Sequence, residues 1–186
     1  MAHIKGLVLL SRFEYLESRQ GTKLFKEFLK KISTGDENFA RQPVDGANYY
    51  PASTLARIDR VLLEEYFNND FGEFKKMGEW NADTLMDKYF NLYSEQHKPV
   101  DFLEQFARLR AHLIGAGEMK IISAGKNSLT IIIDYGQNVP RSVCLSEQGF
   151  ISGGLRICGA RDISIEEETC ASTPDVLECK YKLVYK

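Results

Sequence analysis

The sequence predicts an α+β protein, in which an N-terminal bundle of about five helices precedes a four-stranded antiparallel sheet. Up to residue 114, apolar residues recur at helical spacing. From Glu118 onwards they alternate with polar residues or form β-branched runs such as Thr130 to Ile133. A glycine-rich helix separates two strand pairs, which gives the order β-β-α-β-β. Clustered helices followed by an antiparallel sheet are typical of the α+β class.

Size and charge fit one domain with a substantial core. The chain has 186 residues, and its formal net charge is -2, with both signs spread along it. This balance excludes the basic footprint of a nucleic-acid-binding protein and a polybasic segment for anionic lipid. The apolar runs are too short to span a bilayer, and the N-terminus lacks a signal-peptide pattern. We therefore expect a single cytoplasmic domain over residues 1–186, with a helical subdomain at 1–116 and a sheet-based subdomain at 117–186.

Five helices are predicted before the change of period. Each is bounded by glycine, proline or a capping residue, and each turns one apolar stripe towards a common core. Thr22 can cap the second helix, Pro99 opens the fifth, and Gly78 is expected to bend or split the fourth. The helices are expected over residues 4–19, 22–34, 53–67, 72–93 and 99–114.

Two strand pairs are predicted in the C-terminal part. The first surrounds a turn at residues 125–127, and the second surrounds the turn Thr173-Pro174-Asp175, so both are expected to be antiparallel hairpins. Along the last strand, tyrosine and leucine alternate with lysine, which predicts one buried and one solvent-exposed face. The four strands are expected at residues 119–124, 128–135, 162–166 and 179–185.

The helix between the strand pairs carries three glycines. Gly149 and Gly153 lie one turn apart, and Gly154 lies beside them. Glycine inside a helix costs about 1 kcal/mol relative to alanine, so something must come close to this helix. For Gly149 and Gly153 we expect the backbone of the sheet, with a ligand as the alternative. Beside Gly154 we expect a cavity bordered by Phe150 and Ile157.

No catalytic motif is present, and we expect no enzyme. The sequence lacks a Walker-type phosphate loop, a G-x-S-x-G elbow and an H-E-x-x-H pair. Cys170 and Cys179 flank the last turn and Cys158 ends the glycine-rich helix, which makes these three the candidate metal ligands. No C-x-x-C spacing supports zinc. We expect buried thiols that act as small hydrophobes, and a zinc ion or a redox pair remains the alternative.

Several segments, taken in order, resemble a known family. They are Lys5-Gly6 with LSRFEYLESRQG, Tyr50-Pro51, CLSEQGFISGGLRICGA at residues 144–160, and the closing ETC and ECKYKLVY. Together they resemble a bacterial family of uncharacterised proteins related to 4-vinyl-reductase-type and haem-NO-binding ligand-binding domains, with the TRAPP vesicle-tethering proteins as cousins. The resemblance implies an α+β fold with a four-stranded antiparallel sheet. It also implies a cavity between helices and sheet for a small, often hydrophobic, molecule.

The same resemblance invites a comparison of haem ligands. Haem-NO-binding domains carry a proximal histidine in a helix of the form L-x-x-L-H and a Tyr-x-Ser-x-Arg clamp for the propionates. The comparable helix here reads FLEQFARLRAHL, so Arg110 falls at the place of that histidine and His112 follows two residues later. Arginine stays protonated and does not ligate iron. No Tyr-x-Ser-x-Arg occurs either, so we expect no haem and no other cofactor.

The function expected from these observations is a non-enzymatic sensory or carrier module that binds a small apolar or amphipathic molecule. Its candidate ligand-binding residues are Phe106, Arg110, Phe150, Gly154 and Ile157. The alternative is a protein-interaction or dimerisation adaptor that resembles the vesicle-tethering subunits and holds no ligand. A large apolar cavity would favour the first hypothesis, and an exposed apolar patch would favour the second.

Overall fold

The computed structural model describes residues 3–34, 43–89, 98–115, 117–125 and 127–186, and for residues 85–89 it describes the backbone alone. The predicted end of the fourth helix near Tyr93 therefore lies outside the described residues. The elements, in chain order, are β1 (His3–Lys5), α1 (Gly6–Ser33), β2 (Tyr49–Pro51), α2 (Ala52–Val61), a π-helix (Leu62–Tyr66), α3 (Gly72–Tyr89), α4 (Pro99–Leu113), β3 (Glu118–Gly125), β4 (Ser128–Asp134), α5 (Arg141–Ile157), β5 (Ser164–Thr169) and β6 (Glu178–Val184).

The predicted α+β class and its four-stranded antiparallel sheet are confirmed. The strands lie in the order β3-β4-β6-β5, and every neighbouring pair is antiparallel. Alternate residues of the central strands face the core, and the opposed pair Ile131 and Tyr181 is fully buried. The sequence did not predict the small second sheet, in which β1 pairs with β2 over three residues each.

The first two predicted helices form one long element with a break. In α1 the backbone of Gly21 has φ 79° and ψ 164°, which no helix residue adopts, and helical geometry resumes after it. The predicted stop at Gly21 is therefore confirmed as a break in direction, while the hydrogen-bonded element continues to Ser33.

The contacts group the chain into two compact units. Unit 1 comprises residues 1–70 and 113–115, and unit 2 comprises residues 71–112 and 116–186. This grouping differs from the predicted subdomain boundary at 116/117, because it places α3 and nearly all of α4 with the sheet. The boundary itself stays a prediction. A single domain over residues 1–186 stays a prediction. No helix in the described ranges is long and apolar enough to cross a membrane.

Unit 1 is built around aromatic side chains and one buried ion pair. The ring of Phe28 packs edge-on against Phe13 and Tyr66, with centroid distances of 5.6 Å in both cases. Arg12 Nε donates to Asp59 Oδ1 at 3.2 Å, and both side chains are buried. The π-helix follows α2 directly and begins three residues after Asp59.

In unit 2, α5 is covered on more than one side, as its broad apolar face predicted. On one side, α3 crosses it at glycines: a Cβ at Gly149 would stand 2.0 Å from the carbonyl oxygen of Lys75, and one at Gly78 would stand 2.0 Å from that of Ser146. On another side, Cys144 contacts β6. The close approach at Gly149 is confirmed, but the expected partner was wrong, because a helix and not the sheet comes near.

Candidate functional site

Three phenylalanine rings meet where α4 faces α5. The rings of Phe106 and Phe150 stack with a centroid distance of 4.7 Å and an interplanar angle of 29°. Phe102, one turn before Phe106 on α4, lies almost parallel to it at 6.2 Å. All three side chains are buried. We call Phe102, Phe106 and Phe150 the aromatic cluster.

The aromatic cluster depends on the missing side chain of Gly154. A Cβ at this position would stand 1.9 Å from Cζ of Phe102, so the Phe102 ring occupies the space that any larger residue would fill. Gly154 follows Phe150 by one helical turn on α5. The place where the sequence predicted an open cavity is therefore filled by a side chain of the protein itself, one that can turn about its own rotatable bonds.

A buried polar group lies one turn further along α4. Arg110 Nε donates to both carboxylate oxygens of Glu147, at 3.0 and 3.2 Å, and the hydroxyl of Tyr135 donates to Glu147 Oε2 at 2.8 Å. The guanidinium carbon also lies 4.7 Å from the centroid of the Tyr135 ring. We call Arg110, Glu147 and Tyr135 the polar triad. Arg110 is only 1% exposed, so this charge is taken out of water.

The electrostatics of the polar triad favour the ionised pair. Burial alone would lower the pKa of Arg110, but the charge and hydrogen bonds of Glu147 outweigh it and raise that pKa. Burial, together with the charge of Glu147, raises the pKa of the Tyr135 hydroxyl well above its ordinary value. Arg110 thus stays a cation and Tyr135 stays a neutral donor, with Glu147 accepting from both.

The structure brings four of the five predicted ligand-binding residues to one interface. Phe106 and Phe150 stack, Gly154 receives the Phe102 ring, and Arg110 pairs with Glu147 one turn before Phe150. Ile157 is half-buried at the end of α5 and takes no part in the described ring contacts. Their role as a ligand site stays a prediction.

Phe102, Glu147 and Tyr135 were missed by the sequence reasoning. For Phe102 a signal existed, because it precedes Phe106 by four residues on one helix face. For Glu147 and Tyr135 the sequence held no comparable signal, since their partners lie on other elements.

A second cluster lies at the other end of α5, against the sheet. The sulfur atoms of Cys144, Cys170 and Cys179 all lie within 4.8 Å of one another, and all three residues are buried. We call these residues the thiol cluster. The predicted proximity of Cys170 and Cys179 is confirmed. The prediction of Cys158 as a third metal ligand is wrong, because Cys158 lies at the opposite end of α5 from Cys144. At a rise of 1.5 Å per residue, the two residues are about 20 Å apart.

The hydrogen bonds within the thiol cluster distinguish the sulfur of Cys179 from the other two. Cys144 and Cys179 have their sulfur atoms 3.3 Å apart, and the amide of Ala171 donates to Cys179 Sγ at 3.3 Å. In this pair the thiol of Cys179 donates to Cys144 Sγ. Once Cys179 is ionised, the thiol of Cys144 donates to it instead, and this hydrogen bond lowers the pKa of Cys179 to about 6. That same bond, together with burial, raises the pKa of Cys144. All four cysteines of the chain are free.

Neighbouring side chains hold the thiol cluster in place. Arg141 Nη1 donates to Cys170 Sγ at 2.7 Å and to Glu167 Oε2 at 2.6 Å. Nδ2 of Asn138 donates to the backbone carbonyls of Ala171, Thr173 and Val176 at 2.8–2.9 Å, so it closes the turn between β5 and β6.

The chain has an α+β fold, and the aromatic cluster is buried between two helices of unit 2. No protein-family model and no curated protein matches the chain. Solved structures of H-NOX (haem-NO-binding) domains do share its fold.

Three H-NOX structures illustrate the similarity, and each aligns with 98% of this chain. A mutant of the T. tengcongensis H-NOX has 19% identity, 98% of its own chain covered and a TM-score of 0.74. An oxygen-binding H-NOX domain related to soluble guanylate cyclases, in its oxygen complex, has 18% identity, 95% coverage and a TM-score of 0.76. An H-NOX protein from S. oneidensis in the Fe(II) ligation state has 16% identity, 96% coverage and a TM-score of 0.77.

These neighbours correct one expectation and support another. The expectation of no cofactor, with haem argued against, is wrong, because the chain has the fold of haem-NO-binding domains. A missing sequence motif was too weak a ground for discarding haem. The expectation of a non-enzymatic protein agrees with the neighbours, which are described as H-NOX domains, one of them as oxygen-binding. The adaptor hypothesis receives no support from them, and the relation to 4-vinyl-reductase-type and TRAPP proteins stays a prediction.

The described residues at the α4–α5 interface do not by themselves fit a haem. Arg110 is held by Glu147, and the Phe102 ring fills the space beside Gly154. Of the three histidines, His3 and His112 are exposed, and His97 lies outside the described residues.

Proposed function

We propose that this chain is a sensory module that binds a small apolar or amphipathic molecule between α4 and α5 in unit 2. The observation that supports this most is the Phe102 ring, which fills a space left by glycine on the facing helix. The fold supports it as well, because its solved neighbours are H-NOX domains, one of them described as oxygen-binding.

Phe102 serves as a removable plug of the site. Turning this ring away exposes the Gly154 backbone beside the stacked rings of Phe106 and Phe150, whose centroids lie 4.7 Å apart. The space that opens is the size of one aromatic ring and has apolar walls. Ligand sites are commonly apolar clefts with a few placed polar groups. A ligand that binds the open form shifts the population towards it in proportion to its preference for that form.

The polar triad gives the site a fixed polar end. Arg110 and Glu147 neutralise each other, so the triad presents hydrogen-bonding groups without a net charge of its own. Because Glu147 lies on α5, one turn before Phe150, a molecule that displaces the rings also acts on the helix that carries the ion pair. A change at the aromatic cluster is thereby passed to Tyr135 at the end of β4. This is the route by which binding would become a signal.

The experiment is a titration of the purified chain with three probes: haemin, metal-free protoporphyrin IX and 1-anilinonaphthalene-8-sulfonate. We expect saturable binding of at least one probe at one molecule per chain. Replacing Phe102 by leucine or alanine removes the plug and raises the apparent affinity about tenfold, because the closed form no longer competes. Replacing Phe150 by alanine removes a stacking wall and weakens binding about tenfold.

Phe71→Ala is the matched control. Phe71 is a phenylalanine of the same unit, but it is 42% exposed and lies outside the aromatic cluster. Its replacement should leave all three titrations unchanged. The Phe102→Leu variant removes the ring but leaves a smaller cavity than alanine, so it remains informative if the alanine variant does not fold. The proposal is overturned if no probe saturates with the parent or the Phe102 variants, or if Phe71→Ala alters binding as much as Phe150→Ala.

A further inference from the structure

The thiol cluster is assembled from three separate segments. Cys144 lies in the first turns of α5, Cys170 directly follows β5, and Cys179 lies in β6. Their sulfur atoms lie within 4.8 Å of one another, and Cys144 and Cys179 are fully buried while Cys170 is 8% exposed. The aromatic cluster and the polar triad make no use of these three side chains.

The spacing suits one metal ion at the centre of the sulfur triangle. Metal–thiolate bonds measure about 2.3 Å, which places three sulfurs around a central ion about 4 Å apart. The observed sulfur atoms lie at 3.3 Å for one pair and within 4.8 Å for all. Side-chain shifts of less than about 1 Å therefore bring all three to bonding distance, with no rearrangement of the backbone.

The number of donors restricts the ion. Zinc in structural sites takes four ligands, and the metal-ligating groups gathered here within the described ranges are three cysteines. The oxygens that contact these sulfurs belong to the hydroxyls of Ser172, 3.0 Å from Cys170 Sγ, and of Tyr181, beside Cys179, and the three cysteines are buried. Soft thiolate ligands select copper(I) as well as zinc, and copper(I) accepts three sulfurs without a fourth donor.

We propose that Cys144, Cys170 and Cys179 form a binding site for copper(I), held by three sulfur atoms. Binding replaces the thiol protons by copper–sulfur bonds and releases these protons to solvent, with no change in the oxidation state of the copper. Arg141, which donates to Cys170 Sγ at 2.7 Å, offsets part of the negative charge of the thiolates. The site goes beyond the proposed sensory function, since it lies apart from the aromatic cluster.

The surroundings prepare the three sulfurs before any ion arrives. The amide of Ala171 donates to Cys179, and Asn138 holds the turn that links Cys170 to β6. Such outer hydrogen bonds orient metal ligands and commonly change metal affinity by about 10- to 100-fold. A site ordered in this way does not require metal in order to fold.

The test uses the whole chain, kept reduced and without oxygen, and copper(I) supplied in competition with bicinchoninate. We expect one copper(I) per chain, a near-ultraviolet sulfur-to-copper absorption band, and three sulfur neighbours in copper X-ray absorption. Cys144→Ala and Cys170→Ala should each weaken binding about 10- to 100-fold and lower the number of sulfur neighbours of the copper from three to two. Cys158→Ala is the matched control and should bind as the parent does.

Two controls distinguish a loss of copper binding from a folding defect of the variant. Far-ultraviolet circular dichroism shows whether each variant is folded, and Cys170, the least buried of the three, gives the variant with the smallest cavity. Equal copper affinity of Cys158→Ala and Cys170→Ala would overturn the proposal. So would zinc bound more tightly than copper(I) with an oxygen or nitrogen as a fourth neighbour. The Phe71 and Phe102 variants should bind copper as the parent does, so this result is independent of the sensory proposal.

Discussion

Gly78 on α3 lies directly against the backbone of Ser146 on α5. A Cβ at Gly78 would stand 2.0 Å from the Ser146 carbonyl oxygen and 2.8 Å from the amide nitrogen of Phe150. Backbone atoms, unlike the end of a flexible side chain, do not give way. The two helices therefore touch through their main chains, with Gly149 making the reciprocal contact towards α3.

Gly78→Ala should destabilise the protein although alanine is the better helix former. Overpacking of this kind costs on the order of 1–3 kcal/mol and outweighs the helix propensity gained, about 1 kcal/mol. Urea denaturation gives the free energy of unfolding. Gly125→Ala is the control, because its Cβ would meet only the Ser128 side chain at 3.9 Å. A Gly78→Ala protein as stable as the parent would show that the helices separate without cost.

Arg110→Leu should be among the most destabilising single changes in unit 2. It leaves the Glu147 carboxylate buried without its cation, which costs about 3–5 kcal/mol. Adding Glu147→Leu should restore part of the loss, because the uncompensated charge goes as well. Arg156→Leu is the matched control: Arg156 pairs with Asp83 at 2.9 Å, but both side chains are about half exposed. Such a surface pair contributes about 0–1 kcal/mol. Thermal denaturation of the four proteins tests the order.

One thiol should titrate near pH 6. The pKa of Cys179 is lowered to about 6 by the hydrogen bond from Cys144, so absorbance at 240 nm should rise by one thiolate around that pH. An unfolded cysteine titrates at about 8.5. The stabilisation from this group is therefore fully present above about pH 8.5 and is lost as the pH falls through 6. The raised pKa of Cys144 acts in the opposite sense above its ordinary value.

Cys144→Ala should remove the absorbance step near pH 6, because the donor to Cys179 is gone. The pKa of Cys179 should then move back towards that of a free cysteine. Cys158→Ala should retain the step. If the step persists in Cys144→Ala, the low pKa has another cause.

Asn138→Ala should loosen the turn between β5 and β6. The side-chain amide donates to three backbone carbonyls, and its loss costs about 1–2 kcal/mol. Asn138→Asp should cost more, since a carboxylate then faces carbonyl oxygens that need a donor. Hydrogen exchange of the Val139 amide, which donates to Ala171 O, reports the local effect. Unchanged hydrogen exchange in both variants would mean that the turn is stable without the hydrogen bonds of the Asn138 side chain.

The sequence anticipated the close approach at Gly149 and Gly153 but not its partner. Helix-interior glycines report that something comes near, whereas the identity of the neighbour depends on the arrangement of distant elements. Gly78 looked like a bend in α3 for the same reason. In the structure its missing side chain serves the contact with α5.

The thiol cluster shows the same limit. Cys170 and Cys179 flank one turn, so local strand pairing was enough to predict that they are close. Cys144 joins them only because α5 packs on β6, and sequence spacing carries no trace of that contact. The filled space beside Gly154 was equally hidden, since Phe102 reaches it from another helix.

The break in α1 requires glycine at position 21 because of the backbone torsion angles there, and not because a side chain would lack space. Gly21 adopts φ 79° and ψ 164°, and an added Cβ would meet no atom within 4 Å. This torsion region belongs to glycine among natural residues, but it is the mirror image of ordinary extended backbone. A D-alanine placed there by chemical ligation would fit without strain, whereas L-alanine would not. By narrowing the freedom of the unfolded chain, the D-residue should stabilise the protein by about 0.4–1 kcal/mol.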